Sequence, residues 1–318
     1  MDREPVCDTA YCVADAAKDH DGRDRMREPY PLPLVPLLPQ FLQRRRAKSD
    51  FPLRAMERLG LDRPAYYFAM DLGTQDPRGA LPQDVGNSAY RTTDAQLATV
   101  AAAGESVGLL TWRNGRWSLT EKGRVALDEL RTALEGYYGS VSPIDPADLE
   151  RVASLLDRAR AAAVASPEPK TREHTPRGDR YRWKEPASAM ARLDAAIYGL
   201  WQFRDDCHMQ AWRDAGLAGP VVHLFTAIWN KDATTDDDLI AKVGAQRPED
   251  VRAGLQQLRA DGLADRGPEL ALTTRGATLR AGIEGETDRY FFAPWPDAVG
   301  VESDWLTERL AAVNAALA

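Results

Sequence analysis

The sequence predicts a mainly α-helical fold with small β-hairpins, arranged as winged helix-turn-helix units in tandem. Three observations carry that expectation. A weak internal repeat relates the two halves, the second half is punctuated as helix, turn, helix, hairpin and helix, and the first half holds an Asn114-Gly115 pair between apolar runs. Asn-Gly is the strongest short-range hairpin signal because both residues tolerate positive φ.

At 318 residues the chain exceeds what a single hydrophobic core usually supports, so two domains are expected. Hydrophobic residues make up 44% and charged residues 28%, as in globular proteins. No run of about 18 apolar residues occurs and the N-terminus has no signal-like pattern, which predicts a cytoplasmic protein without membrane contact. Three scattered cysteines, Cys7, Cys12 and Cys207, exclude a disulfide framework. The net charge of -7 leaves any nucleic-acid binding to local basic patches.

Residues 1–29 mix acids and bases without periodicity and read as a loosely docked arm. Its Cys7, Cys12 and His20 match no zinc spacing, so neither metal nor cofactor is expected. Residues 30–164 read as the first winged-helix domain, closed by a long helix with Asp145 as N-cap and Pro146 at its first position. Ser166-Pro167-Glu168-Pro169 ends that helix, and residues 165–188 read as a basic linker. Between Lys170 and Lys184 it holds six basic residues against two acidic ones, with Tyr181 and Trp183 interleaved. Such a segment suits either a phosphate backbone or the acidic body of its own protein. Residues 189–318 read as the second winged-helix domain, ending in a helix that Ser303-Asp304 caps, with Leu306, Leu310, Val313 and Leu317 on one side. That stripe packs on its own domain or on a second chain, giving a monomer with pseudo-two-fold symmetry or a homodimer.

Two segment pairs define the repeat. Gly60-Leu61-Asp62-Arg63-Pro64 is echoed 156 residues later by Gly216-Leu217-Ala218-Gly219-Pro220, and Leu119-Thr120-Glu121-Lys122-Gly123 is echoed 153 residues later by Leu272-Thr273-Thr274-Arg275-Gly276. Their common order and spacing indicate a duplicated unit. In the second copy Thr234-Thr235-Asp236-Asp237-Asp238 caps a helix carrying Leu239, Ile240 and Val243 that Gly244 ends, and Arg247-Pro248-Glu249-Asp250 opens a helix with Val251, Leu255 and Leu258 on one face. A short strand, turn and strand from Leu263 to Leu272 follow. In the first copy Thr93-Asp94 begins the matching helix, and Val107 to Leu119 form the hairpin.

The Leu-Thr-x-x-Gly segments resemble the wing-to-helix junction of MarR-type regulators, which implies a second helix reading the major groove and a wing in the minor groove. The second half also resembles an actinobacterial group of SalK-like helix-turn-helix proteins. That likeness rests on Arg204-Asp205-Asp206-Cys207-His208 and on Ile283-Glu284-Gly285-Glu286-Thr287-Asp288.

Two function classes follow. For a ligand-responsive DNA-binding transcriptional regulator, the candidate contacts are Arg247, Arg252, Gln256 and Arg259 in the second copy, with Arg91, Thr93, Gln96, Arg113 and Arg116 in the first. For a scaffold recruited to bind or transform a small molecule of specialised metabolism, the stripe Leu193, Ile197, Leu200 continues onto Arg204, Cys207 and His208. Polar groups entering an apolar face need partners, and Glu284 and Asp288 are available. Asp205 or Asp206 would orient the imidazole, and Trp201 would line the pocket. In that alternative His208, Asp206 and Arg204 carry any catalysis. The phosphate-binding glycine loop, the His-Glu-x-x-His helix and the Gly-x-Ser-x-Gly elbow are all missing, so no recognised catalytic motif is present.

Overall fold

The computed structural model describes residues 29–74, 79–80, 94–243, 246–267 and 269–318. After a 3-10 turn at Leu32–Leu34, the first half supplies α1 (Leu37–Arg44), α2 (Phe51–Leu59), α3 (Arg63–Asp71) and α4 (Asp94–Ser106). The strands β1 (Leu110–Arg113) and β2 (Arg116–Leu119) follow, then α5 (Glu121–Ser140) and α6 (Pro146–Ala165). The second half runs α7 (Thr175–Arg180), α8 (Ala189–Asp214), α9 (Gly219–Trp229), α10 (Asp236–Lys242) and α11 (Pro248–Ala260). It closes with α12 (Thr274–Phe292), α13 (Asp297–Gly300) and α14 (Ser303–Leu317). The fold is therefore mainly α-helical with a small hairpin, as the sequence predicts.

Local chemistry explains most boundaries. The Asp145 carboxylate accepts from the amides of Ala147 and Asp148, and Thr235 and Asp238 form a reciprocal capping box at the start of α10. Asn114 and Gly115 adopt φ of 53° and 74°, as a two-residue hairpin turn of this twist requires, and set Trp112 opposite Trp117. Two expectations are corrected. The strands around Gly267 shrink to one isolated bridge, Ala264 with Leu272. At α14 the N-cap is Glu302, without a side-chain bond, so the helix start rests on backbone geometry rather than on Ser303. Gly244, Arg91, Thr93 and the arm up to residue 28 lie outside the described residues.

The two repeated segments make the same backbone bonds. Gly60 and Gly216 both take positive φ, and in each case the following leucine amide reaches back to the carbonyl five residues earlier, Met56 or Trp212. Thr120 and Thr273 each cap the next helix by accepting from Gly123 or Gly276, and each hydroxyl donates to the carbonyl of Gly108 or Gly262. Lys122 and Arg275 reach the carbonyls of Val107 and Asp261. The amides of Trp117 and Leu270 donate to the carbonyls of Ala80 and Thr234. From Leu109 to Thr120 is one residue more than from Leu263 to Thr273, which accompanies the shorter second hairpin.

Two hydrophobic clusters fill the molecule. The larger takes residues from α1 to α8 up to Cys207 and then Phe291 to Leu317 from the chain's end. The smaller holds Met209, Trp212, Phe225, Leu239, Val251, Leu255, Leu258 and Ile283, beneath α9 to α11. The two clusters meet within α8 and α12. Residues 165–188 fold onto the body instead of bridging solvent: His174, Thr175, Gly178 and Trp183 are buried, and α7 packs on α8. The apolar stripe of α14 is covered within the same chain by α1 and α6, with Asn314 Nδ2 donating to Leu37 O at 2.9 Å.

A Cβ on Gly276 would lie 2.0 Å from the Leu263 carbonyl oxygen, whereas one on Gly136 meets nothing within 4 Å. Gly276→Ala is expected to lower the unfolding free energy by about 1–3 kcal/mol. Gly136→Ala, on an exposed helix face, is expected to raise it by about 0.5–1 kcal/mol. Chemical denaturation of the two variants checks both signs.

Candidate functional site

Helix α11 turns Val251, Leu255 and Leu258 inward, and Gly254 lets it approach Leu224 of α9 closely. The opposite face exposes Glu249, Asp250, Arg252, Gln256 and Gln257. Its arginines differ in state. Arg247 pairs with Asp250 at 2.8 Å and 3.0 Å. Arg259 forms a bidentate pair with Asp236 at 2.9 Å and 2.8 Å and donates to the Asp265 carbonyl, tying α11 to the start of α10. Arg252 has no acidic partner among the described residues and points to solvent with Gln256.

In the first half, Arg116 donates to the Gly79 carbonyl at 2.9 Å and so braces the hairpin, while Arg113 is exposed beside Trp112. The Gln96 side chain lies outside the described residues. No Lys or Arg occurs anywhere in α4, Asp94–Ser106.

The polar stripe of α8 divides between two neighbours. Arg204 Nη2 meets Asp288 Oδ1 at 2.9 Å and Glu284 Oε2 at 3.5 Å on α12. His208 Nδ1 lies 3.1 Å from Thr287 Oγ1 and 3.8 Å from Glu284, which is also paired with Arg280. The Thr287 hydroxyl donates to the Ile283 carbonyl, so the imidazole Nδ1 is the donor toward Thr287. Burial holds the His208 pKa down to about 4 despite Glu284. Burial works against ionised Glu284 too, but Arg280, then His208 and Arg204, hold it at about 2. Burial pushes Asp288 up to about 6, opposed by Arg204.

Asp206 faces elsewhere. Fully buried, its Oδ1 accepts from the amides of Glu173 and His174 at 3.0 Å and 2.9 Å and lies 3.2 Å from His174 Nδ1. Its Oδ2 accepts from the Thr175 amide and hydroxyl at 2.8 Å and 2.7 Å. Burial alone would raise the Asp206 pKa, yet the bonds from His174 and Thr175 lower it. The imidazole that Asp206 orients is therefore His174, not His208, and the set Arg204, Asp206 and His208 does not meet at one point. Asp205 is half-buried near His174, and Trp201 packs at the edge of the larger core.

A further polar cluster went unread in the sequence: Arg45 and Arg46 converge on buried Asp194 together with Tyr181. The run Arg44-Arg45-Arg46 at the end of an apolar helix was the available signal.

Residues 180–318 match a helix-turn-helix family. The C-terminal part of the chain carries a helix-turn-helix domain. Neither a curated protein nor a solved structure matches the chain. Within this domain α10 and α11 are consecutive helices in contact, and no helix among the described residues is long and apolar enough to cross a membrane.

Because the folded pKa of His208 is depressed, its unfolded form binds a proton first, so stability is lost as pH falls from about 6.5 toward 4. A depression of this size corresponds to about 3 kcal/mol. Wild type is expected to lose that much relative to His208→Gln across the window, read by urea denaturation at pH 7 and pH 4.5; parallel pH profiles of the two proteins contradict it.

Proposed function

We propose that the protein is a ligand-responsive DNA-binding transcriptional regulator built from two winged-helix units, α3 to α5 and α9 to α12. The observation that carries this reading is the outward face of α11, where Arg252 and Gln256 stand unengaged on the second helix of a helix-turn-helix pair. Guanidinium and amide groups at such positions suit base edges in a major groove, as point contacts that a short helix can deliver. The shared bonds at the two glycine turns and the two threonine caps support a duplicated unit, with one chain supplying what a dimer of single units would.

The two units would not contact DNA alike. Helix α4 carries no cation, so the first unit contributes Arg113 of its hairpin, while α11 reads sequence. Operator symmetry mirrors protein symmetry, and an unequal pair calls for a non-palindromic site. We assign the ligand response to the joint of Arg204, His208, Glu284 and Asp288. There α8 meets α12, and a change in pairing would move the helix-turn-helix domain against the body.

Selection from random duplex DNA with the full-length protein tests this. It is expected to enrich a non-palindromic sequence, to which Arg252→Glu abolishes binding, while Arg252→Ala weakens binding by about 1–3 kcal/mol and relaxes the preference at the contacted base pair. Absence of enrichment, or retention by Arg252→Glu equal to wild type, contradicts the proposal. Arg259 is unsuited to this test because its substitution also breaks the pair with Asp236.

A further inference from the structure

The body holds a concentration of charge that neither the α11 face nor the α8–α12 joint uses. Asp194 of α8, fully buried, is met by Arg45 Nε at 2.5 Å, by the Tyr181 hydroxyl at 2.6 Å and by Arg46 Nη2 at 3.5 Å. Arg46 also donates to Tyr138 Oη at 3.0 Å and to Tyr181 Oη. Next to it Arg177 of α7 pairs with Asp71, and Tyr198 packs on Tyr181 with ring centroids 4.4 Å apart. Three guanidinium groups, each 12–17% exposed, thus face two carboxylates. One positive charge is left over where solvent is scarce, a state that strongly favours an incoming anion.

Apart from Asp194 Oδ1, which faces Arg45 Nε, the polar atoms left unspent in this cluster are donors. Tyr66 Oη, Trp183 Nε1 and Arg177 Nε are buried without a hydrogen-bond partner among the described residues, with Tyr66 only 1% and Trp183 8% exposed. Indole and guanidinium nitrogens can only donate. Burial pushes the Tyr66 pKa up to about 12, so the phenol keeps its proton and is a donor as well. Trp183 stands edge-on to both Tyr138 and Tyr181, whose hydroxyls meet Arg46, and Tyr66 lies within range of Arg58 and then Arg46, with the Arg58 partner Glu129 beyond them. A surplus of donors around a surplus of positive charge calls for a group with several acceptor lone pairs and negative charge. Water satisfies the donors but not the charge.

We propose that this cluster, formed by α1, α3, α5, α7, α8 and the segment around Trp183, binds a small molecule through an oxyanion, a carboxylate or a phosphate. Arg46 and Arg177 hold the anion, since planar guanidinium forks match such oxygens, and Tyr66 and Trp183 orient it. The site is independent of the DNA-binding reading and stands or falls without it.

Calorimetric titration of the full-length protein with sodium phosphate and with sodium benzoate, against sodium chloride at equal ionic strength, tests the site. Saturable binding of at least one anion at one site per chain is expected, and whichever binds more tightly names the group. Tyr66→Phe should weaken that binding by about tenfold or more, by losing one hydrogen bond to a charged group. The same variant should unfold at an equal or higher temperature without ligand, because a buried unpaired hydroxyl is removed. Trp183→Phe should weaken binding in the same direction. No saturation by either anion, or affinity unchanged in both variants, overturns the proposal.

Discussion

One helix carries the molecule. Over its first half α8 is enclosed by the body, with Leu193, Ile197, Leu200 and Phe203 in the larger core, and over its last turns Met209 and Trp212 enter the smaller one. Burial on this scale leaves no face for polar groups to escape to, so each must be met where it lies. Asp194 is met by α1 and Tyr181, Arg204 by α12, and Asp206 by residues 173–175. Three neighbours therefore read three different sides of one helix. Rotating α8 by a single residue would strand all three charges at once, a far larger penalty than any local repacking.

The same logic explains an arginine-rich chain with a net negative charge. Much of its cationic side-chain chemistry is internal. Arg45, Arg177, Arg204 and Arg280 are nearly buried, and Arg259 and Arg116 span from one element to the next. Guanidinium suits this task because its fork makes several directed bonds and it loses its hydration more readily than an ammonium. Cations so engaged are not available to phosphate, which is why Arg252 and Arg113 stand out among the arginines that the sequence offered for DNA contact.

What could be read in advance was what a few adjacent residues decide. The Asp145 cap, the helix start at Thr234 to Asp238 and the Asn114-Gly115 turn are short-range chemistry, and each is found where its residues stand. The matching bonds of the two segment pairs have the same local origin, since a glycine turn or a threonine cap keeps its signature even when the surrounding sequence drifts. The polar site was legible only in part. Positions 204 and 208 share a helix face, but position 206 is rotated by about 200° from 204, so a cluster spanning all three was geometrically unavailable on a straight helix. Docking of residues 165–188 on the chain's own body was one of the two readings their composition allowed, but the partners were not legible, because backbone amides of that stretch meet Gln210 and Asp206 of α8, 31 to 39 residues further on. Arg45 and Arg46 escaped for the converse reason: their acid, Asp194, lies about 150 residues away.

The return of α14 to α1 sets an order of events in time. Arg44 donates to the Asn314 carbonyl and Asn314 to that of Leu37, contacts 270 and 277 residues apart in sequence. A nascent chain leaving the ribosome holds α9 to α11 with their own small core before α14 exists, while the earlier-made body must wait with an uncovered flank. Such long-range closure is slow and leaves apolar surface open to wrong partners meanwhile. Helix α1 is thus made early and sealed late, and holding chaperones would act on the N-terminal half rather than on the helix-turn-helix domain.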